Sequence, residues 1–189
     1  MSPQPPTPSQ TVGPYFGFAL PWEQGPLAVP EGSAGAIRIS GRLLDGEGVG
    51  VPDGLIETWQ ADPDGRFAHP DDPRGAVAWG DFRGFARCPT EADGSWSILT
   101  LKPGPLPGPD GSIEAPHIAV SVFARGLLAR LVTRIYFADE EERNATDPVL
   151  AALPGGEDAR HTLLAEPVAG GYRFEIQLQG DDETVFFAI

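Results

Sequence analysis

The sequence predicts an all-β chain folded as a β-sandwich, and three observations carry that reading. Its 24 glycines and 21 prolines are spread along 189 residues with no fixed period, so they punctuate the chain instead of building a repeat. Seven or more short apolar runs stand between them, and strands of that length separated by turn signals assemble as two packed sheets. The run YRFEIQLQ gives the period most clearly. Tyr172, Phe174, Ile176 and Leu178 alternate with Arg173, Glu175, Gln177 and Gln179, one face buried and one wet.

In chain order, residues 1–30 are rich in proline and glycine and are expected to form an extended N-terminal arm, with a single sandwich domain over 31–189. Strands are expected at Ile37–Leu44, Leu55–Ala61, Ser95–Leu101, His117–Ala124, Leu131–Phe137, Tyr172–Leu178 and Thr184–Ala188. The connection Asp62–Arg83 is longer than a neutral loop needs to be, and long loops in compact domains often carry function or face a partner. Helix is expected only as single turns, around Glu140–Asn144, Pro148–Leu153 and Asp158–Leu164, where caps and breakers follow one another closely.

Charge and cysteine usage narrow the function. Twenty-seven acidic against thirteen basic residues give a net charge of −14, which repels the phosphate backbone that nucleic-acid-binding proteins must neutralise. An anionic small molecule is also repelled at long range and would need a local arginine in a sheltered site. Cys88 is the only cysteine, so no internal disulfide is available and a reducing compartment is expected. The opening MSPQPPTPSQTVGPY has neither a basic start nor an apolar run, and no window approaches the roughly 18 apolar residues of a membrane helix. The expectation is a cytoplasmic chain that binds neither nucleic acid nor membrane.

The stretch APHIAVSVFA poses a sharper question. On a strand, side chains two apart share a face, so His117 and Ala119 point the same way and only His117 can bind anything. A lone imidazole is a weak metal site. It is either a packed histidine at a strand start or what remains of a larger site. His69 and His161 stand in polar segments and are expected to be solvated.

Five segments, in this order, resemble the intradiol ring-cleavage dioxygenases: TPSQTVGPYF at 7–16, ETWQADPDGRF at 57–67, LKPGPLPG at 101–108, APHIAVSVFARGLLARLVTRIYFADE at 115–140 and YRFEIQLQGDDETVFF at 172–187. The resemblance implies a β-sandwich of the intradiol dioxygenase type. In catalytic members it implies a non-haem ferric ion held by two tyrosines and two histidines. The tyrosine positions fall here on Phe67 and Leu106, the histidines on His117 and Ala119, and a nearby family arginine on Glu114. Fe(III) is a hard ion that prefers anionic oxygen donors, and neither Phe67 nor Leu106 supplies one.

The resemblance therefore implies a subunit with no catalytic residue and no metal ligand of its own. It would work beside a homologous iron-bearing β subunit that acts on 3,4-dihydroxybenzoate and O2. In that arrangement Thr11, Gly13, Pro14 and Tyr15 of the arm, with Arg134 of the strand LVTRIYF, would line the substrate cavity. Arg134 would supply the positive charge an acidic protein needs to hold a carboxylated catechol. From the residues alone, Arg134 is equally an arginine paired with an acid such as Glu57 or Glu175. Two further readings stand beside this one. The first is a stand-alone transthyretin-like binding module without catalysis. The second is an autonomous catechol-type dioxygenase, which the missing donors and the lack of a helical N-terminal dimer domain oppose.

Overall fold

Strand alternation places the core between two layers of sheet. The computed structural model describes residues 11, 13 and 15–188. Its elements are α1 (Phe16–Ala19), β1 (Ala36–Leu44), β2 (Leu55–Trp59), β3 (Phe85–Pro89), β4 (Ser95–Leu101), β5 (Leu106–Pro107), β6 (Ile113–Glu114), β7 (His117–Phe123), β8 (Leu131–Phe137), α2 (Glu141–Thr146), α3 (Pro148–Ala151), α4 (Gly156–His161), β9 (Leu164–Val168), β10 (Gly171–Arg173) and β11 (Ile176–Gln177).

One layer is centred on β1, which pairs antiparallel with β4 on one edge and parallel with β10 and then β11 on the other. The second runs β3, β2, β7, β8 with every neighbour antiparallel. Strand β9 links the two. Leu164 and Ala165 pair parallel with Tyr136 and Phe137, while Glu166 to Val168 pair antiparallel with β10. Ile39, Leu43, Ile98, Phe174 and Ile176 from the first layer form one core with Ile56, Ile118, Val120, Ile135 and Phe137 from the second. Each such side chain contributes roughly 1.5–3 kcal/mol on burial, which is why the alternation dictates the fold.

The alternation of YRFEIQLQ is present as expected, with Tyr172, Phe174 and Ile176 buried. The single strand expected there is two. At Phe174 the chain crosses β1 so closely that a Cβ on Gly41 would stand 1.7 Å from the Phe174 carbonyl oxygen, and the ladder breaks between β10 and β11. The strand expected at Thr184–Ala188 is extended chain without a regular ladder. Its bonds go to successive partners: Thr184 N donates to Gln177 O (3.0 Å) and Phe187 N to Val132 O (2.8 Å), so it crosses from one layer to the other. Strands β3 and β9 were not expected. FARCP is too short to declare a period, and the start of β9 lies where a helical turn was expected.

Residues 25–30 are seated against β4. Ala28 N donates to Leu99 O (2.8 Å), Leu99 N donates to Pro26 O (2.9 Å), and Ala28 and Val29 are buried. The long connection after β2 is organised by two carboxylates. Asp62 accepts from the amides of Asp64 (2.9 Å) and Arg66 (2.8 Å). Asp72 accepts from Phe67 N (2.6 Å) and from Arg74 through its amide, Nε and Nη2.

The Gly41 crossing gives a direct test. Gly41→Ala drives a methyl group into a backbone carbonyl that two strand pairings hold in place. The expected loss is about 3 kcal/mol or more, measured by urea denaturation. A variant as stable as the parent would show that the crossing relaxes freely.

Candidate functional site

The outer face of the β3–β2–β7–β8 layer carries the residues singled out above. Ile118, Val120 and Val122 of β7 point into the core, which turns His117, Ala119 and Ser121 to the opposite face. Register then aligns three strands: Ala119 stands between Trp59 of β2 and Arg134 of β8, and His117 stands beside Tyr136. Phe67 stacks on Trp59 at 5.7 Å with the rings 6° from parallel. Leu106 pairs with Glu114 in the short β5–β6 ribbon. Glu114, His117, Ala119 and Arg134 thus meet at one end of the β7–β8 pair, with Phe67 on Trp59 one strand away across the same face.

A closed network of hydrogen bonds fills that end. Arg134 Nη1 donates to Glu114 Oε2 at 2.7 Å and to the Tyr136 hydroxyl at 3.1 Å. The Tyr136 hydroxyl donates to Asp147 Oδ1 at 3.4 Å. Asp147, fully buried, also accepts from Ala115 N (2.7 Å), the residue next to Glu114, and from Val149 N and Leu150 N (both 2.8 Å) as the N-cap of α3. One carboxylate thereby fixes β6, β8 and α3 relative to one another. Burial pushes the Tyr136 phenol above its usual range despite the adjacent guanidinium, so it remains a neutral donor. Burial opposes the charge on Arg134, but Tyr136 and Glu114 outweigh it and hold the guanidinium more firmly protonated than usual.

His117 is buried and tilted against the Tyr136 ring, centroids 5.4 Å apart. Its Nδ1 lies 2.8 Å from Ala115 O, an acceptor only, so Nδ1 carries the proton. Nε2 faces the Glu114 carboxylate at 3.6 Å. Burial and then the Arg134 charge lower the imidazole pKa, and the ring is neutral.

The partner of Arg134 is Glu114, not Glu57 or Glu175. Glu57 pairs with Arg87 at 2.6 Å, and Glu175 accepts from Arg42 N at 3.0 Å. Nothing local in the sequence announces the Glu114 pair. The β7–β8 register and the Asp147 tie bring residues 114 and 134 together. Asp147 and the bond between Tyr136 and Arg134 were missed for the same reason, although Asp147-Pro148 carries the sequence signal of a helix cap.

Of the arm positions, Pro14 lies outside the described residues. Gly13 has φ +70° and its amide donates to Thr11 Oγ1 at 3.4 Å. Tyr15 is 79% exposed at the start of α1, followed by Phe18 at 85%. Among the described residues no hydrogen bond joins Thr11, Gly13 or Tyr15 to Arg134. The arm is anchored to the sheet by Trp22, stacked on Phe85 at 6.2 Å, and by Arg87, which lies over both rings and donates to Leu20 O at 3.0 Å. Beside this anchor a hollow of about 420 Å³ lies over Ala119 and Ser121, between Trp59 and Phe85 on one side and Arg130 on the other.

The buried His117 yields a pH dependence of definite sign. Its folded pKa lies below the ordinary value of 6.5, so the unfolded chain takes up its proton first as pH falls. Its contribution is fully present above about 6.5 and is lost below it, at up to about 1.4 kcal/mol per pH unit, until the folded pKa is reached. Urea midpoints at pH 7.5 and 5.5 should differ more for the parent than for His117→Gln. Equal differences would mean that the imidazole is not held neutral.

Comparison with known proteins places this geometry. A family model described as dioxygenase matches residues 11–180. The chain is 41% identical over 203 residues to the protocatechuate 3,4-dioxygenase alpha chain of Burkholderia cepacia, spanning 97% of each. It is 38% identical over 158 residues to the beta chain of the same enzyme from the same species, spanning 78% of this chain and 66% of that one. The crystal structure of catechol 1,2-dioxygenase from Pseudomonas arvilla C-1 shares the fold, with a TM-score of 0.57 at 18% identity over 82% of this chain and 55% of the other. With the family model spanning nearly its whole length and a relative this similar from end to end, the chain belongs to the intradiol dioxygenase family.

Proposed function

We propose that this chain is the alpha subunit of a protocatechuate 3,4-dioxygenase, which assembles with a homologous iron-bearing beta subunit. The complex cleaves 3,4-dihydroxybenzoate with O2 to 3-carboxy-cis,cis-muconate. The observation that carries the reading is identity of 41% across 97% of both chains to an alpha chain, combined with the side chains at positions 67, 106, 117 and 119.

Those side chains do not fit a ferric ion. Phe67, Leu106 and Ala119 have no donor atom. His117 spends Nδ1 on a backbone carbonyl, and its Nε2 faces a carboxylate already held by Arg134. A cation placed there would compete with a guanidinium that is built into the sheet face. The iron accordingly belongs to the beta subunit, and this chain contributes walls, charge and assembly.

In this reading the N-terminal arm expected over residues 1–30 meets the partner, while its residues 25–30 are seated against β4 of the sandwich expected over 31–189. Thr11, Gly13, Pro14 and Tyr15 line the shared cavity, with Arg134 facing the substrate carboxylate. The exposed aromatic run Tyr15, Phe18 and Trp22 supports an arm completed by a partner, since an isolated chain gains nothing by exposing it. Among the described residues no helix is long and apolar enough to cross a membrane, and Cys88 is a free, buried thiol, consistent with a cytoplasmic assembly.

The test is reconstitution. Purified alone, the chain should be colourless, iron-free and inactive in oxygen uptake. Co-expressed with the beta subunit, it should give a red-brown complex that consumes O2 with 3,4-dihydroxybenzoate. Iron-dependent turnover by the isolated chain would overturn the reading.

A further inference from the structure

We propose that Glu114 is a positioning residue for the substrate carboxylate. Together with the Tyr136 hydroxyl it holds one amino group of Arg134, so that the other edge of the guanidinium is presented to the ligand. The inference rests on the reading of Arg134 as the cation of the shared cavity, and it assigns the device that aims that cation.

The geometry is that of a fixed fork. Nη1 carries two protons, and two acceptors take them: Glu114 Oε2 at 2.7 Å and Tyr136 Oη at 3.1 Å. Among the described residues these are the hydrogen bonds Arg134 makes, which leaves Nε and Nη2 as donors. That pair forms the planar edge suited to a bidentate carboxylate. Arg134 stands across the ladder from Ala119, whose side chain ends at a methyl and lines the hollow of about 420 Å³ on the same sheet face.

Glu114 is itself held on both sides. Its backbone is paired with Leu106, and the next amide is tied to Asp147 at 2.7 Å. Arg134 retains about a quarter of its side-chain exposure (26%) against 14% for Glu114, so the acid lies behind the base as seen from solvent. A long arginine side chain loses considerable rotamer freedom when it grips a ligand, and a second contact made in advance removes much of that cost. Glu114 also balances the charge of Arg134 while the cavity is empty.

The experiment uses the assembled complex with variants of this chain, and steady-state oxygen uptake with 3,4-dihydroxybenzoate and with catechol, which lacks the carboxylate. For Glu114→Ala the KM for 3,4-dihydroxybenzoate should rise on the order of tenfold, with kcat and the KM for catechol within about twofold of the parent. Glu114→Gln keeps the size and one acceptor, folds with the least disturbance, and should give a smaller rise of the same kind. Arg134→Ala should raise the same KM, and the double variant Glu114→Ala/Arg134→Ala should be no worse than Arg134→Ala alone. An unchanged or lowered KM in both Glu114 variants, with the Arg134→Ala effect intact, would overturn the role of Glu114 and leave that of Arg134 standing. No effect of Arg134→Ala would remove the reading of Arg134 itself and this inference with it.

Discussion

The buried carboxylate of Asp147 is the constraint on which the site depends. A charge removed from water is tolerated only where hydrogen bonds replace its hydration. Asp147 finds four donors: three backbone amides and a phenol. Meeting them requires α3 to begin at Pro148, β6 to end beside Ala115, and Tyr136 to project from β8 toward the same point. Tyr136 and the register of β6 then fix where Arg134 and Glu114 meet. The site is thus built from its buried back to its exposed front.

This arrangement explains how a sheet face that lacks oxygen donors at Phe67 and Leu106 keeps its shape. A metal centre draws strands together by coordination. Here an ion pair and a chain of hydrogen bonds link β6, β7, β8 and α3, while Phe67 stacks on Trp59 with Arg74 over the Phe67 ring at 5.3 Å. Lys102 does comparable work at the same end of β8, over the core-facing Phe137. It pairs with Asp139 (3.0 Å) and Glu140 (2.8 Å) and lies over the rings of Phe137 and Tyr172, joining the two layers. Neither assembly requires a ligand.

Much of this was legible in the sequence. The alternation in YRFEIQLQ and the apolar runs around Ile39, Ile56, Ile98, Ile118 and Ile135 declare the sandwich, because burial on one face is a local property of a strand. The strands β3 and β9 and the break at Phe174 were not legible, since a five-residue run or a backbone crossing is defined only by its neighbours. At the site, the identities of Phe67, Leu106, His117 and Ala119 could be read position by position. The pairing of Glu114 with Arg134 could not, because a cross-strand ion pair between residues 20 apart exists only once the register is known. Tyr15, at the start of α1, is largely exposed, whereas Arg134 is held by Glu114 and Tyr136.

We propose that the iron of the assembly is held by the beta subunit alone. The most direct measurement is the iron content of the purified complex, set against the amounts of the two chains by quantitative amino-acid analysis. The account predicts one iron for each pair of chains, unchanged when His117 of this chain is replaced by glutamine. Two irons per pair, or a loss of iron on replacing His117, would contradict it.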